Sequence, residues 1–228
     1  MKRLAAVIFD MDGVLVDSEP FHHRATQAAL GLRGASYTER DNQAFFGATD
    51  SEMLRVLRIL FDVPEPTAAL VEAKTSHLVG LIRADARPLP GVPEVPLWLR
   101  ASGLPLALAT ASGRAVIQVV LDTVGLHGVF DAVVSGDEVA RGKPAPDGFL
   151  MAARRLGVEP EQCLVVEDSR NGVLAAKAAG MRVAAVPCAA TSHEDFSAAD
   201  LVLPSLESLV KALHSAGADL EPAPTWKA

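Results

Sequence analysis

The stretch that decides the fold is Leu4-Ala5-Ala6-Val7-Ile8-Phe9-Asp10-Met11-Asp12-Gly13. It opens with a continuous apolar run, which is typical of a strand covered on both faces by helices in a parallel sheet. The run ends at once in an acidic residue. It is too short for the apolar region of a signal peptide or for a transmembrane span, so we predict a cytoplasmic protein without a membrane partner.

Short apolar runs and amphipathic stretches alternate along the rest of the chain. The runs are 104–109, 132–134, 163–166, 183–186 and 201–203. The amphipathic stretches 115–124, 147–156 and 171–179 each end before a glycine, which can cap a helix in the left-handed conformation. Pro146 fits the first turn of its helix, where a missing N–H costs nothing. This alternation predicts an α/β fold with a doubly wound parallel sheet.

One segment departs from the alternation. Residues 18–86 contain helical patterns around 20–30, 38–46, 50–61 and 66–83 and no convincing strand, and a Pro-rich stretch follows them. We predict an all-helical cap domain over 18–86, inserted into a catalytic core formed by 1–17 and 87–215. The Ala- and Pro-rich residues 216–228 are expected to form a flexible tail.

Composition limits the partners. Half of the 228 residues are apolar, enough for one large domain or two unequal ones, and the formal charge is −7 without a run of Lys or Arg. A nucleic-acid partner is therefore not expected. Cys163 and Cys188 both lie in apolar stretches, which favours reduced thiols over a disulfide.

Polar residues follow four of the predicted strands or lie just beyond them, and in a parallel sheet these carboxyl ends form the ligand site. They are Asp10 and Asp12, Thr110-Ala111-Ser112, Gly142-Lys143-Pro144, and Glu167-Asp168.

Phosphoryl transfer uses this set of groups. A carboxylate can attack phosphorus, a second acid can move the proton of the leaving group, and carboxylates hold magnesium. A lysine and a hydroxyl can stabilise the phosphoryl oxygens. Each piece alone has another interpretation: Asp-x-Asp occurs in turns, and Glu167-Asp168 could be a helix N-cap pair. The segment from Gly136 to Lys143 imitates a nucleotide-binding P-loop, but Pro144 replaces the required hydroxyl residue.

The motifs together resemble those of the haloacid dehalogenase-like (HAD) hydrolase superfamily. They are Phe9-Asp10-Met11-Asp12-Gly13-Val14-Leu15-Val16-Asp17-Ser18-Glu19, Thr110-Ala111-Ser112, Gly142-Lys143-Pro144-Ala145-Pro146-Asp147 and Val166-Glu167-Asp168-Ser169. The helical insert resembles the small four-helix cap of the branch that contains β-phosphoglucomutase and sugar-phosphate phosphatases.

The resemblance implies a role for each motif residue. Asp10 would be nucleophile and metal ligand, and Asp12 the general acid and base, with its backbone carbonyl on the metal. Thr110 and Lys143 would hold the phosphoryl oxygens, with Ala111 and Ser112 beside them. Glu167 and Asp168 would complete a Mg²⁺ site.

The identity of Asp12 separates reactions within the superfamily. Dehalogenases resemble this fold but lack an acid there, because a departing halide needs no proton, and the ion-pump ATPases carry Thr. An acid at this position favours phosphatase or phosphomutase chemistry.

The cap residues are expected to select the substrate. His22 resembles a histidine with which the mutase senses cap closure, and Lys74 aligns with a mutase lysine; a surface histidine and a solvated lysine are the alternatives. In the loop with Gly47, Asp50 replaces an arginine that binds the second phosphate in the mutase. Aspartate would repel that phosphate, unless Asp50 merely caps the helix that begins near Ser51.

We therefore expect a magnesium-dependent phosphatase, a monomer or weak dimer, acting on a small phosphate monoester such as a sugar or polyol phosphate. The expected intermediate is an aspartyl-phosphate. Two alternatives stay open: a β-phosphoglucomutase-like phosphotransferase, and a non-catalytic binding protein on the same scaffold. The presence of both Asp10 and Asp12 disfavours the second.

Overall fold

Six parallel strands form one sheet in the computed structural model, which describes residues 3–31, 37–45 and 48–215. The strands are β1 (Ala6–Phe9), β2 (Leu106–Ala109), β3 (Ala132–Val134), β4 (Cys163–Glu167), β5 (Arg182–Ala185) and β6 (Leu201–Val202). Their order is β3-β2-β1-β4-β5-β6, so β1 lies between β2 and β4 with Phe9 opposite Leu108 and Val166. The predicted doubly wound α/β fold is confirmed.

Helices surround the sheet and build the insert. Within the described ranges they are α1 (Glu19–Ala29), α2 (Glu39–Gln43), α3 (Asp50–Leu60), α4 (Thr67–Asp85), α5 (Glu94–Ala101), α6 (Arg114–Thr123), α7 (Asp147–Leu156), α8 (Arg170–Ala178) and α9 (Glu207–Ser215). None of them combines the length and hydropathy that a membrane-spanning helix needs.

The boundaries of the three predicted core helices agree with those of α6, α7 and α8 to within one residue. Pro146 is the N-cap residue of α7 and not part of its first turn. Helices α5 and α9 were not predicted from the sequence. Pro93 caps α5 and Pro96 lies in its first turn, where backbone N–H groups have no intrahelical acceptor, so neither proline interrupts a hydrogen bond.

Both faces of the sheet are buried. Alternate residues of a strand point to opposite faces, so Val7 and Phe9 join the apolar cluster that includes α5, α6 and α9, whereas Ala6 and Ile8 join the cluster that includes α7 and α8. Strand β6 differs, because Leu201 and Val202 at the edge of the sheet are 41% and 57% exposed.

Helices are the only regular secondary structure in the described residues of the insert. It has an apolar cluster of its own, formed by Leu30, Tyr37, Met53, Leu54, Leu57 and Leu70. The end of α4 belongs instead to the core, since Leu78 and Ile82 join the cluster on one sheet face. The segment before the insert and the segment after it are hydrogen-bonded to each other, since the Leu89 N–H donates to the Leu15 carbonyl at 3.1 Å. The division into two domains at 18 and 86 stays a prediction, and the predicted tail lies outside the described residues.

Helix α3 begins with a capping box. The Thr49 hydroxyl accepts from the Glu52 N–H at 3.3 Å, and the Glu52 carboxylate accepts from the Thr49 N–H at 2.9 Å. Thr49 is therefore the N-cap, and the interpretation of Asp50 as the cap is wrong. The other carboxylate oxygen of Glu52 accepts from the Gly142 N–H at 3.3 Å, which joins the insert to the loop that carries Lys143.

Because Thr49 forms the capping box with Glu52, we expect it to contribute to the stability of the insert. Thr49→Ala removes the cap acceptor and should lower the free energy of unfolding by about 0.5–2 kcal/mol in urea titrations. The matched control is Ser51→Ala in the same turn, because Ser51 is exposed and outside the box; it should change stability by less than about 0.5 kcal/mol. Equal effects of the two substitutions would contradict the assignment of the cap.

Candidate active site

Lys143 connects two carboxylates at the carboxyl ends of β1 and β4. Its Nζ lies 2.6 Å from Asp10 Oδ1 and 2.6 Å from Glu167 Oε1. All three side chains are almost completely withdrawn from solvent. Burial alone would lower the pKa of Lys143, but the two carboxylates outweigh it and raise that pKa. The lysine is therefore a permanent cation beside the proposed nucleophile.

The start of α8 fixes the Glu167 side chain. Its second oxygen accepts from the Ser169 N–H at 2.7 Å and from the Ser169 hydroxyl at 3.0 Å. Gly172 leaves room for this carboxylate, because a Cβ there would come 1.7 Å from Glu167 Oε1. Ser169 caps α8, so the alternative that Glu167 and Asp168 serve as its N-cap pair is wrong.

Asp10, Glu167 and Asp168 form a buried acidic cluster. Each offers one oxygen, and these oxygens lie within 4.8 Å of one another. Burial, aided by Glu167 and Asp12 and opposed by Lys143, raises the pKa of Asp10 to about 8. Burial and the neighbouring Glu167 also raise the pKa of Asp168 well above its ordinary value. Carboxylates this close repel one another unless a cation joins them, so the donor set fits a hard divalent ion such as Mg²⁺.

Asp168 also contacts two side chains that the sequence analysis did not include in the site. Its Oδ2 lies 3.2 Å from the Cys188 thiol and 3.3 Å from the Thr191 hydroxyl. The backbone of Gly13 also lies close to Asp168, since a Cβ at this position would come 2.1 Å from the same oxygen. Cys188 and Thr191 follow β5, so extending the strand-end search to the run 183–186 would have found them. Both cysteines are free thiols.

Asp12 accepts hydrogen bonds at both oxygens. Ser18 Oγ and His22 Nε2 lie 2.5 and 3.2 Å from Oδ1, while Ser112 Oγ and Thr110 Oγ1 lie 2.8 and 3.3 Å from Oδ2. Burial would raise the pKa of Asp12, but His22 and the hydroxyls stabilise the anion and bring that pKa well below its ordinary value. In this arrangement Asp12 is a carboxylate, the form that accepts a proton.

The Thr110-Ala111-Ser112 turn lies beside these carboxylates. The Ser112 N–H donates to Thr110 Oγ1 at 3.0 Å, and all three residues line the same cavity. Both hydroxyls are hydrogen-bonded to Asp12. Their predicted contact with phosphoryl oxygens therefore requires a substrate to compete for them, and it stays a prediction.

A line of polar contacts runs from Asp12 into the insert. His22 Nδ1 lies 3.2 Å from Lys74 Nζ, and Lys74 forms an ion pair with Asp50. Burial and the Lys74 ammonium would lower the pKa of His22, but Asp12 and Glu19 outweigh them and raise that pKa. Lys74 is only 1% exposed, so the solvated alternative is wrong, and His22 is not a surface residue either. Gly47, the remaining predicted cap contact, lies outside the described residues.

These groups face a cavity of about 630 Å³, including its open mouth, between the sheet edge and the insert. The core side presents the carboxylates, Lys143 and the Thr110 turn. The insert side presents Glu19, His22, Asn42, Phe45, Met53 and Lys74.

Fold and site agree with the comparison to known families. The family model of the haloacid dehalogenase-like hydrolases matches residues 4–180. The chain therefore belongs to the haloacid dehalogenase-like hydrolase family, as its motifs suggested. Within that family it is an enzyme of the phosphatase class.

Its relatives include phosphatases and structures with bound phosphate compounds. Fructose-1-phosphate phosphatase YqaB of Escherichia coli (strain K12) is 39% identical over 183 residues, 79% of this chain and 95% of the relative. CbbY from Rhodobacter sphaeroides in complex with phosphate has a TM-score of 0.82 and 32% identity, covering 95% of this chain and 100% of that one. A mutant of that CbbY in complex with xylulose-(1,5)bisphosphate has a TM-score of 0.80 and 32% identity, covering 89% and 94%.

The raised pKa of Asp10 predicts a pH dependence of stability. Its carboxyl has an ordinary pKa of 3.8 and a folded pKa of about 8, so metal-free folding takes up a proton between these values and becomes less favourable as pH rises through that range. Asn at this position does not titrate. In excess chelator, the Tm of Asp10→Asn minus that of the wild type should therefore increase from about pH 5 to about pH 8. A difference that stays constant with pH would contradict the shift.

Proposed function

We propose that the protein hydrolyses the phosphate monoester of a small hydroxylated compound, a sugar or polyol phosphate, through an aspartyl-phosphate on Asp10. One observation carries the substrate class: each lysine that the described residues place in the cavity is already paired with a carboxylate. Lys143 pairs with Asp10 and Glu167, and Lys74 pairs with Asp50.

This pairing disfavours a substrate with a second phosphate. Among the described residues, the insert side of the cavity carries Glu19, Asp50 and one lysine, Lys74, whose charge Asp50 balances. A neutral, hydroxylated end meets no such repulsion. The similarity to fructose-1-phosphate phosphatase YqaB supports a sugar monophosphate, whereas the CbbY complex with a bisphosphate shows that a related fold can hold two phosphates.

The proposed reaction has two steps. In the first, an Asp10 oxygen attacks phosphorus, the bond to the ester oxygen breaks, and Asp12 gives its proton to the departing alkoxide. In the second, water attacks the aspartyl-phosphate, its proton passes to Asp12, and inorganic phosphate leaves with Asp10 restored. Because the present contacts of Asp12 favour its anion, the first step requires those with Ser18 and His22 to weaken when substrate binds.

Magnesium is the proposed cofactor. Asp10, Glu167 and Asp168, with the backbone carbonyl of Asp12, are the residues that would hold it. When bound, the ion would offset the repulsion among the carboxylates and polarise a phosphoryl oxygen.

A β-phosphoglucomutase-like phosphotransferase is the second candidate, because the two residues that resemble mutase cap residues lie near the reacting groups: His22 is 3.2 Å from Asp12, and Lys74 is 3.2 Å from His22. The Asp50–Lys74 ion pair disfavours it, since a mutase must hold a bisphosphate intermediate. Interconversion of hexose phosphates without release of inorganic phosphate would identify the mutase.

The direct test is phosphate release by the full chain with Mg²⁺ over a panel of sugar, polyol and nucleoside monophosphates. We expect release from sugar or polyol monophosphates and none in excess chelator. Asp10→Asn should lower kcat by about a thousandfold or more while folding normally, because an amide cannot form the acyl phosphate. Full turnover in chelator would contradict the metal assignment, and an active Asp10→Asn variant would contradict the assigned nucleophile.

The ion pair in the cap gives a sharper test of substrate class. Asp50→Asn frees the charge of Lys74 without changing side-chain size. It should raise kcat/KM for hexose bisphosphates relative to monophosphates by about 5- to 100-fold, while that for p-nitrophenyl phosphate changes less than about threefold. Glu72→Gln on the exposed face of α4 is the matched control. An unchanged ratio would show that Asp50 does not select against the second phosphate.

A further inference from the structure

The insert side of the cavity contains a polar pair that the proposed chemistry does not use. Glu19 is the first residue of α1, and Asn42 lies in α2. We infer that Glu19 and Asn42 form a hydroxyl-binding subsite that selects the leaving group of the ester. The inference rests on the proposed function for the identity of the ester and deepens it by naming specificity-determining residues.

Asn42 has a fixed orientation. Its side chain is 6% exposed, and its Oδ1 accepts from the hydroxyl of the fully buried Tyr37 at 2.9 Å. Its Nδ2 donates to Glu19 Oε2 at 3.1 Å. An amide nitrogen carries two hydrogens, so the second hydrogen of Asn42 Nδ2 is available to a ligand.

Glu19 presents the complementary group. Its Oε1 makes no hydrogen bond with any residue in the described ranges, although the side chain lines the cavity. Burial raises the pKa of Glu19 to about 7; Asp12 adds to this effect, while His22 and Lys74 oppose it. The carboxyl thus changes charge near neutral pH and can accept or donate a hydrogen bond there.

Together the two side chains offer an acceptor and a donor a few ångströms apart. A hydroxyl group both donates and accepts, so one hydroxyl, or two neighbouring ones, can satisfy the pair. An alkyl end would offer no partner to Glu19 Oε1 or to the second hydrogen of Asn42 Nδ2, and a phosphate would face the carboxylates of Glu19 and Asp50.

Apolar side chains complete the subsite. Phe45 and Met53 line the same side of the cavity and can contact the carbon chain of a bound polyol. The combination of apolar surface with a few oriented polar groups is typical of small-molecule sites. Asp10, Asp12 and Lys143 form no hydrogen bond with the pair, so a substitution in it leaves the direct contacts of the reacting groups in place.

The test compares esters with and without hydroxyls in the presence of Mg²⁺. Glycerol 3-phosphate, sorbitol 6-phosphate and fructose 1-phosphate are set against n-propyl and n-hexyl phosphate. Glu19→Ala should lower kcat/KM for the best hydroxylated ester by about 10- to 100-fold and that for the alkyl esters by less than about threefold. Glu19→Gln keeps a hydrogen-bonding group and should recover most of the loss. Glu72→Ala is the control for loss of a cap carboxylate.

A binding measurement tests the hydroxyl-binding subsite independently of the proposed hydrolysis. Calorimetric titration of sorbitol 6-phosphate and n-hexyl phosphate into Asp10→Asn, with and without Glu19→Ala, requires no turnover. Preference for the hydroxylated ester that disappears with Glu19→Ala supports the subsite even if no phosphate is released. Equal loss for both ester types, or no loss for either, would overturn it, and thermal melting of each variant identifies losses caused by unfolding.

Discussion

The ammonium of Lys143 lies between the carboxylates of Asp10 and Glu167, with the ring of Phe149 centred 5.0 Å away. Placing several acids at the buried edge of a sheet costs several kcal/mol per unpaired charge, and this lysine offsets part of that cost. One lysine cannot balance Asp10, Glu167 and Asp168 together, so ionisation of all three favours binding of a further cation. Stability and chemistry at this edge thus depend on the same electrostatic contact.

The insert is tied to the catalytic edge by polar contacts. Glu52 reaches from α3 to the N–H of Gly142, the residue before Lys143. On the opposite side of the cavity, His22 and Lys74 connect Asp12 with the insert. A change in the position of the insert therefore reaches both Lys143 and Asp12, the residues proposed to bind the phosphate and to transfer the proton, so a distant part of the substrate can influence the proposed reacting centre.

Strand-end reasoning predicted the core motifs because it depends on topology alone. Whichever side-chain conformations occur, residues after parallel strands meet at one edge, so Asp10, Thr110 and Glu167 could be placed together from the sequence. The pairing of Asp50 with Lys74 could not, because it depends on how α3 packs against α4. Local rules were also ambiguous at the start of α3: Thr and Asp are both good N-caps, and only the geometry selects Thr49.

The position of β1 in the middle of the sheet has a consequence for biosynthesis. Its partner β4 lies more than half of the chain further on, with Ala6 opposite Cys163. During translation Asp10 is therefore made long before the strand that brings Glu167 and Asp168 to it. Until then its carboxyl stays hydrated, with neither the buried lysine contact nor the acidic neighbours. The nascent chain consequently cannot assemble the cluster of Asp10, Glu167 and Asp168, which forms only at a late, non-local stage of folding.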